Sequence, residues 1–124
     1  MSIRILVADD SDFWRKQIME ILAQAVDGVV FEAGNGYEAV YRARWVHPDV
    51  AILDYSMPVL DGLGAARQLK GLTPDLPILI ITADKTPFLE SAAREAGVLA
   101  VFSKAECLKL PDFLKRIFLA QMVA

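Results

Sequence analysis

The chain has 124 residues, a formal net charge of −3 and a hydrophobic fraction of 55%. This length fits one domain. The sequence has no run of roughly 20 apolar residues, which argues against a membrane span. The negative net charge does not favour binding to nucleic acid. One cysteine, Cys107, fits a reducing compartment, and the first residues lack the shape of a signal peptide. We therefore expect a single cytoplasmic domain over residues 1–124.

Short β-rich runs alternate with helical patterns along the chain, which is typical of a parallel α/β sheet. The runs predict strands at Ile3–Ala8, Val29–Phe31, Val50–Leu53, Leu76–Ile81 and Leu99–Phe102. The patterns between them predict five helices, which begin at about Asp12, Asn35, Gly62, Thr86 and Pro111. Right-handed crossovers with helices on both faces favour a flavodoxin-like, doubly wound (βα)5 sheet with strand order 2-1-3-4-5.

Capping and breaking signals mark the ends of these helices. Asp12, Asn35 and Asp61 are candidate N-caps of the first three helices. His47-Pro48 ends the second helix, because the residue before a proline is pushed out of the α region. Trp14 falls on the apolar stripe of the first helix, so we expect it to be a packing residue.

Polar residues stand where the predicted strands end. Asp9 and Asp10 follow the first strand, Asp54 follows the third, Thr82 the fourth, and Lys104 comes shortly after the fifth. Ligands of a doubly wound sheet bind at this carboxyl edge, at the point where the strand order reverses. We therefore expect these five side chains to meet at one site.

Three neighbouring carboxylates repel one another and need a cation. Hard oxygen ligands with room for water suit Mg²⁺, which would also bring positive charge to an arriving phosphoryl group. A carboxylate such as Asp54 can act as the nucleophile that forms an aspartyl-phosphate. Lys104 would supply a second cation, and Thr82 a hydroxyl donor to a phosphoryl oxygen.

Together these motifs resemble the response-regulator receiver domain of two-component signalling over essentially the whole chain. The resemblance is carried by Asp9-Asp10-Ser11, Asp54, Met57–Gly62, Thr82-Ala83 and Ser103-Lys104. It implies that Asp10 binds Mg²⁺ directly, Asp9 binds it through water, and Asp54 both binds it and is phosphorylated. It also implies that the backbone carbonyl of Ser56 completes the protein ligands and that Thr82 and Lys104 sense the phosphoryl group.

The same resemblance implies partners and a mode of action. The phosphodonor would be a sensor histidine kinase or a phosphotransfer protein, and the domain would assist its own Mg²⁺-dependent phosphorylation and dephosphorylation. Phosphorylation would shift the face made by the fourth helix, fifth strand and fifth helix, with a homodimer as one consequence. Ser103–Glu106 resembles receivers attached to helix-turn-helix output domains, which implies transcription regulation without nucleic-acid binding by this domain itself.

Two positions depart from the family pattern. Val101 stands where receivers usually carry Tyr or Phe, and Phe102 cannot replace that ring because strand alternation puts it on the opposite face. Ala105 follows Lys104 where proline is common, so we expect a trans bond there.

Two alternative functions stay open at this stage. A phosphatase of the haloacid dehalogenase-like kind also forms an aspartyl-phosphate, but it places a second Asp where this chain has Ser56. A degenerate receiver that binds partners without phosphorylation is favoured by Val101 and opposed by the complete set of site residues.

Overall fold

The computed structural model describes residues 2–122, and for residues 120–122 it describes the backbone alone. Five strands, β1 to β5, span Ile3–Ala8, Gly28–Ala33, Val50–Asp54, Ile78–Thr82 and Ala100–Ser103. Five α-helices, α1 to α5, span Asp12–Ala23, Gly36–Val46, Gly62–Leu72, Pro87–Glu95 and Leu110–Met122. A 3₁₀ helix over Lys104–Lys109 separates β5 from α5. The predicted alternation of strands and helices is confirmed.

The five strands form one parallel sheet in the order β2-β1-β3-β4-β5, which confirms the predicted flavodoxin-like topology. β1 and β3 are neighbours, with Ala8 beside Leu53, and the chain order reverses between them. The segments that leave their carboxyl ends therefore diverge to opposite sides and open a crevice at that edge.

Each face of the sheet packs against its own set of helices. Ala51 and Leu53 of β3 face a cluster formed with α2, α3 and α4, whereas Val50 and Ile52 face one formed with α1 and α5. Every residue of β3 and β4 is buried, as expected for central strands covered on both faces. None of the described helices combines the length and apolar character that crossing a bilayer requires.

Helix caps follow the sequence signals with one correction. Asn35 and Asp61 are the N-caps of α2 and α3, and their side chains accept hydrogen bonds from Glu38 and Gly64 N–H. The prediction that Asp12 caps α1 is wrong. Ser11 is the N-cap, because its backbone is extended and its hydroxyl accepts the Trp14 N–H, while Asp12 is already helical.

Several element boundaries also differ from the prediction. β2 extends over Gly28–Ala33 because each of its residues pairs with β1. β4 begins after Pro77, whose nitrogen cannot donate to the ladder, although its carbonyl still accepts the Ala51 N–H at 3.0 Å. The 3₁₀ helix before α5 was not predicted, and its Glu106 side chain accepts the Ser103 N–H at 3.0 Å. The described residues contain no cis peptide bond, so the Lys104-Ala105 bond is trans as predicted.

The loop between β3 and α3 approaches the end of β3 closely. A Cβ atom on Gly62 would lie 2.5 Å from the carbonyl oxygen of Asp54, so only glycine fits at this point. In the same loop, Val59 has a φ of 72° and is mostly exposed. A β-branched residue in the left-handed region carries backbone strain, and few side-chain contacts offset it here.

Replacing Val59 by Asn should stabilise the protein, because Asn tolerates the left-handed conformation. We expect the free energy of unfolding, measured with urea, to rise by about 1 kcal/mol. Val29→Asn is the matched control, since Val29 is also exposed but lies in β2 without a positive φ. An equal change in both variants would contradict the assignment of strain to Val59.

Candidate functional site

Asp9 is a buried carboxylate held at the carboxyl end of β1. Its backbone N–H donates to the Ala33 carbonyl, which extends the pairing of β1 with β2 by one residue. Oδ1 accepts the Ser11 N–H at 2.9 Å. Oδ2 has no hydrogen-bond partner, and among the described residues it is the only buried side-chain polar atom in that condition. An unsatisfied buried carboxylate oxygen is costly, so Oδ2 is available to a ligand.

Asp54 ends β3 beside Asp9 and is 5% exposed. The Lys104 ammonium lies 3.8 Å from Asp54 Oδ1 and 3.7 Å from Asp9 Oδ2. Both distances exceed hydrogen-bonding length, so the ammonium offsets charge without occupying either oxygen. Asp10 is exposed, and one carboxylate oxygen from each of Asp9, Asp10 and Asp54 lies within 4.8 Å of the others. The structure thus brings together the predicted carboxylates and the lysine.

Burial and mutual repulsion perturb these carboxyl groups. Burial, followed by the charge of Asp9, raises the pKa of Asp54 from 3.8 to about 6, although nearby Lys104 acts in the opposite direction. Burial also raises the pKa of Asp9, against the hydrogen bond from Ser11 and the charge of Lys104. Both carboxylates therefore carry an electrostatic cost that an added cation would reduce.

Thr82 and Ser56 line the same cavity, of about 530 Å³, as Asp10, Asp54 and Lys104. The Thr82 hydroxyl lies 3.2 Å from both the carbonyl oxygen and the N–H of Asp84, so its own loop holds it. The cavity is open to solvent, which leaves room for a group bound to Asp54. The metal-ligand role of the Ser56 carbonyl stays a prediction.

Sequence reasoning missed two residues that support the site. The Arg15 guanidinium donates to the Asp9 carbonyl at 2.6 Å and to Glu32 at 2.8 Å. The Trp14 ring, predicted only as a packing residue, lies under the Lys104 ammonium, which is 5.0 Å from the ring centroid. Trp14 and Lys104 are far apart in sequence, and no local spacing indicated this contact.

Comparison with known proteins gives consistent matches. The family described as the response regulator receiver domain matches residues 5–117. A protein-glutamate methylesterase/protein-glutamine glutaminase of Methanosarcina acetivorans is 38% identical over 107 residues, which are 84% of this chain and 30% of that protein. A protein of the same name from Vibrio vulnificus is 42% identical over 67% of this chain and 22% of its own length. The chain thus spans less than a third of these relatives.

Solved structures show the same fold. The chemotaxis protein CheY4 of Vibrio cholerae has a TM-score of 0.86 and 26% identity, with 94% of this chain and 98% of that chain covered. The signal receiver domain of the putative response regulator NarL from Mycobacterium tuberculosis has a TM-score of 0.80 and 28% identity, with 88% and 92% covered.

The raised pKa of Asp54 gives a pH dependence with a definite sign. The folded chain holds this proton more tightly than the unfolded chain, so ionisation of Asp54 should lower the stability of the metal-free protein as pH rises from about 4 to 7. The loss should reach about 3 kcal/mol, and Asp54→Asn should abolish it. The measurement is urea unfolding of both proteins in chelator across this range.

The matched control is Asp27→Asn, which removes an exposed carboxylate just before β2. We expect the stability difference between Asp54→Asn and wild type to grow with pH, and that of Asp27→Asn to stay nearly constant. A pH-independent difference for Asp54→Asn would show that the folded chain does not hold this carboxyl proton unusually tightly.

Proposed function

The chain belongs to the family of response regulator receiver domains, and from this premise we propose that Asp54 accepts a phosphoryl group from a histidine kinase or phosphotransfer protein. The observation that carries this proposal is a nearly buried Asp54 carboxylate that opens onto a cavity, with one ammonium beside it. A receiver is a signalling domain, so phosphorylation is its switching event and not turnover of a substrate.

The donor set fits a divalent cation. The free Oδ2 of buried Asp9 and the three converging carboxylates call for added positive charge. Asp9, Asp10, Asp54 and the Ser56 carbonyl would hold Mg²⁺, whose oxygen-ligand preference they match. When bound, the ion supplies charge that offsets the repulsion among the carboxylates and the negative charge of the transferred group.

The chain's own groups would each have one task in the transfer. An Asp54 carboxylate oxygen forms the bond to phosphorus while the bond from phosphorus to the donor's histidine nitrogen breaks. Lys104, already within 4 Å of Asp54, turns its ammonium to a phosphoryl oxygen. The Thr82 hydroxyl gives up its contact with the Asp84 carbonyl and donates to another phosphoryl oxygen.

The Thr82 loop offers a route to the output face that does not need a switching aromatic. Val101 faces the α2–α3–α4 side of the sheet and carries no ring. Next to Asp84, however, the Lys85 ammonium lies 3.3 Å from Glu106, and Glu106 accepts the Ser103 N–H. Movement of Thr82 would therefore act on the 3₁₀ helix and shift an existing equilibrium at the α4–β5–α5 face.

The proposed output is regulation of an attached domain or a separate partner in the cytoplasm, with homodimerisation through this face as one form. The sequence relatives are methylesterases, whereas the neighbouring structures include a LuxR-family regulator. Two outputs are therefore considered, regulation of a methylesterase and regulation of transcription. With a net charge of −3, the domain carries no overall positive charge, so we expect an attached domain or a partner to make any contact with nucleic acid.

The rival functions fit less well. Ser56 stands where a haloacid dehalogenase-like phosphatase needs its acid/base carboxylate, and the pKa of a hydroxyl is too far from neutral pH for that role. A receiver that is never phosphorylated would have no use for a buried carboxylate whose second oxygen lacks a hydrogen bond.

Incubation with acetyl phosphate and Mg²⁺ should add one phosphoryl group to the wild-type protein, as measured by intact-protein mass spectrometry. Asp54→Asn should abolish the mass gain, because a neutral amide has no carboxylate oxygen that can attack phosphorus. Asp27→Asn, which changes an exposed carboxylate away from the site, should behave like wild type. A mass gain that persists in Asp54→Asn, or depends on Asp27, would refute the assignment.

The link from the Thr82 loop to the output face can be tested by hydrogen exchange with and without beryllofluoride. Lys85→Met removes the ion pair that joins the loop to Glu106, so the exchange change in α5 should shrink to less than about half. Lys109→Met is the control, because Lys109 also lies 3.2 Å from Glu106 but belongs to the same 3₁₀ helix. Equal effects of both variants would argue against the link.

A further inference from the structure

We propose that Trp14 is a positioning residue for Lys104. Its indole ring would hold the ammonium in a resting position that leaves the oxygens of Asp9 and Asp54 free for a divalent cation. The inference rests on the proposed function, because it concerns the lysine that would meet the phosphoryl group.

The geometry defines this resting position. The Lys104 ammonium lies 5.0 Å from the centroid of the Trp14 ring, within the range of a cation–π interaction. It stops 3.7 Å from Asp9 Oδ2 and 3.8 Å from Asp54 Oδ1, short of a hydrogen bond with either. Lys104 is only 16% exposed, so water has limited access to screen these contacts. The ring is thus a third partner for the ammonium, beside the two carboxylates.

The local chain fixes the ring where the lysine needs it. Asp9 Oδ1 accepts the Ser11 N–H, and the Ser11 hydroxyl accepts the Trp14 N–H. Asp9 therefore sets the helix cap that orients Trp14. Phe13 packs edge-on against the indole, with ring centroids 5.6 Å apart.

The sheet places Lys104 on the same side as Trp14. Phe102 faces the cluster formed with α1 and α5, and Lys104 begins the 3₁₀ helix directly after β5, where its ammonium lies over the Trp14 ring of α1. α1 covers this face, so its first turn meets the lysine. The contact between Lys104 and Trp14 therefore follows from the strand order of the sheet and from the position of Trp14 in the first turn of α1.

Without the ring, the ammonium would lose its only aromatic partner among the described residues and move onto the nearest negative charge. A direct hydrogen bond to Asp9 Oδ2 or Asp54 Oδ1 would block an oxygen that a divalent cation uses. Trp14 would therefore raise the affinity for Mg²⁺ without contacting the ion.

A double-mutant cycle tests this idea through Mg²⁺ affinity, measured by titration calorimetry. Trp14→Leu should weaken binding by about threefold to tenfold, the range of a partly buried cation–π contact, and Trp14→Phe should weaken it less. In a Lys104→Met background, Trp14→Leu should have no further effect, because the group that it positions is gone. An undiminished effect in that background would overturn the proposal.

A spectroscopic readout tests the contact directly. The ring current of Trp14 should shift the ε-proton NMR signals of Lys104 upfield in wild type, and Trp14→Leu should remove the shift. Trp45→Phe, a change of an exposed tryptophan on α2, is the control and should leave the shift in place. If Trp14→Leu fails to fold, Trp14→Phe should still reduce the shift. An unchanged Lys104 signal in the folded variants would overturn the proposal.

These outcomes are separable from those for the proposed function. If acetyl phosphate leaves Asp54 of the wild type unmodified, the phosphoacceptor function fails whatever the Lys104 signal does. If Asp54 is phosphorylated but Lys104 is insensitive to Trp14, only the positioning role fails.

Discussion

Two carboxylates buried at the carboxyl edge of the sheet, with a single ammonium near both, form the constraint on which the rest of this site depends. Asp9 and Asp54 are 0% and 5% exposed, and neither is hydrogen-bonded to Lys104. Folding alone therefore leaves a deficit of positive charge, seen in the raised pKa of each carboxyl group. The apolar strands β1, β3 and β4 hold the carboxylates in place despite this cost. A cation that binds such a site stabilises the folded protein, so the stability of the site depends on whether the cation is present.

The sequence was sufficient for the topology and for the main residues of the site. Both follow from patterns that are local, since continuous apolar runs mark buried strands, and the residue after each run must lie at the carboxyl edge. Features that depend on tertiary contacts could not be predicted. Ser11 and Asp12 are equally good caps by residue type, and only the path of the chain out of β1 selects Ser11. The contact of Trp14 with Lys104 joins two segments far apart in sequence, so helix periodicity indicated packing alone.

Position 101 carries no aromatic ring, so a change at Asp54 would have to reach the α4–β5–α5 face through other contacts. Val101 and Phe102 lie on opposite faces of β5, as strand alternation requires, so no neighbouring ring can substitute. The 3₁₀ helix offers another connection, because its Glu106 contacts Lys85 of the loop that follows Thr82. The hydrogen bond from the Ser103 N–H, together with Lys109 and Lys85, lowers the pKa of Glu106 to about 2, so this carboxylate stays charged at any physiological pH. The ion pair between Lys85 and Glu106 therefore connects the Thr82 loop to the 3₁₀ helix, and movement of the loop would strain or break it.

Strand alternation also gives a physical basis for the proposed long-range effect of a phosphoryl group in this fold. Thr82 follows Ile78 and Ile80 on the side covered by α2, α3 and α4, whereas Asp54 follows Val50 and Ile52 on the side covered by α1 and α5. A group bound to Asp54 that engages both Lys104 and Thr82 would join strand ends whose apolar neighbours pack into two separate cores. Packed cores respond to such a pull as units because their interiors are close-packed and transmit strain. A change of a few ångströms at the edge of the sheet would then move helices on the α4–β5–α5 side, which is the response that a signalling domain requires.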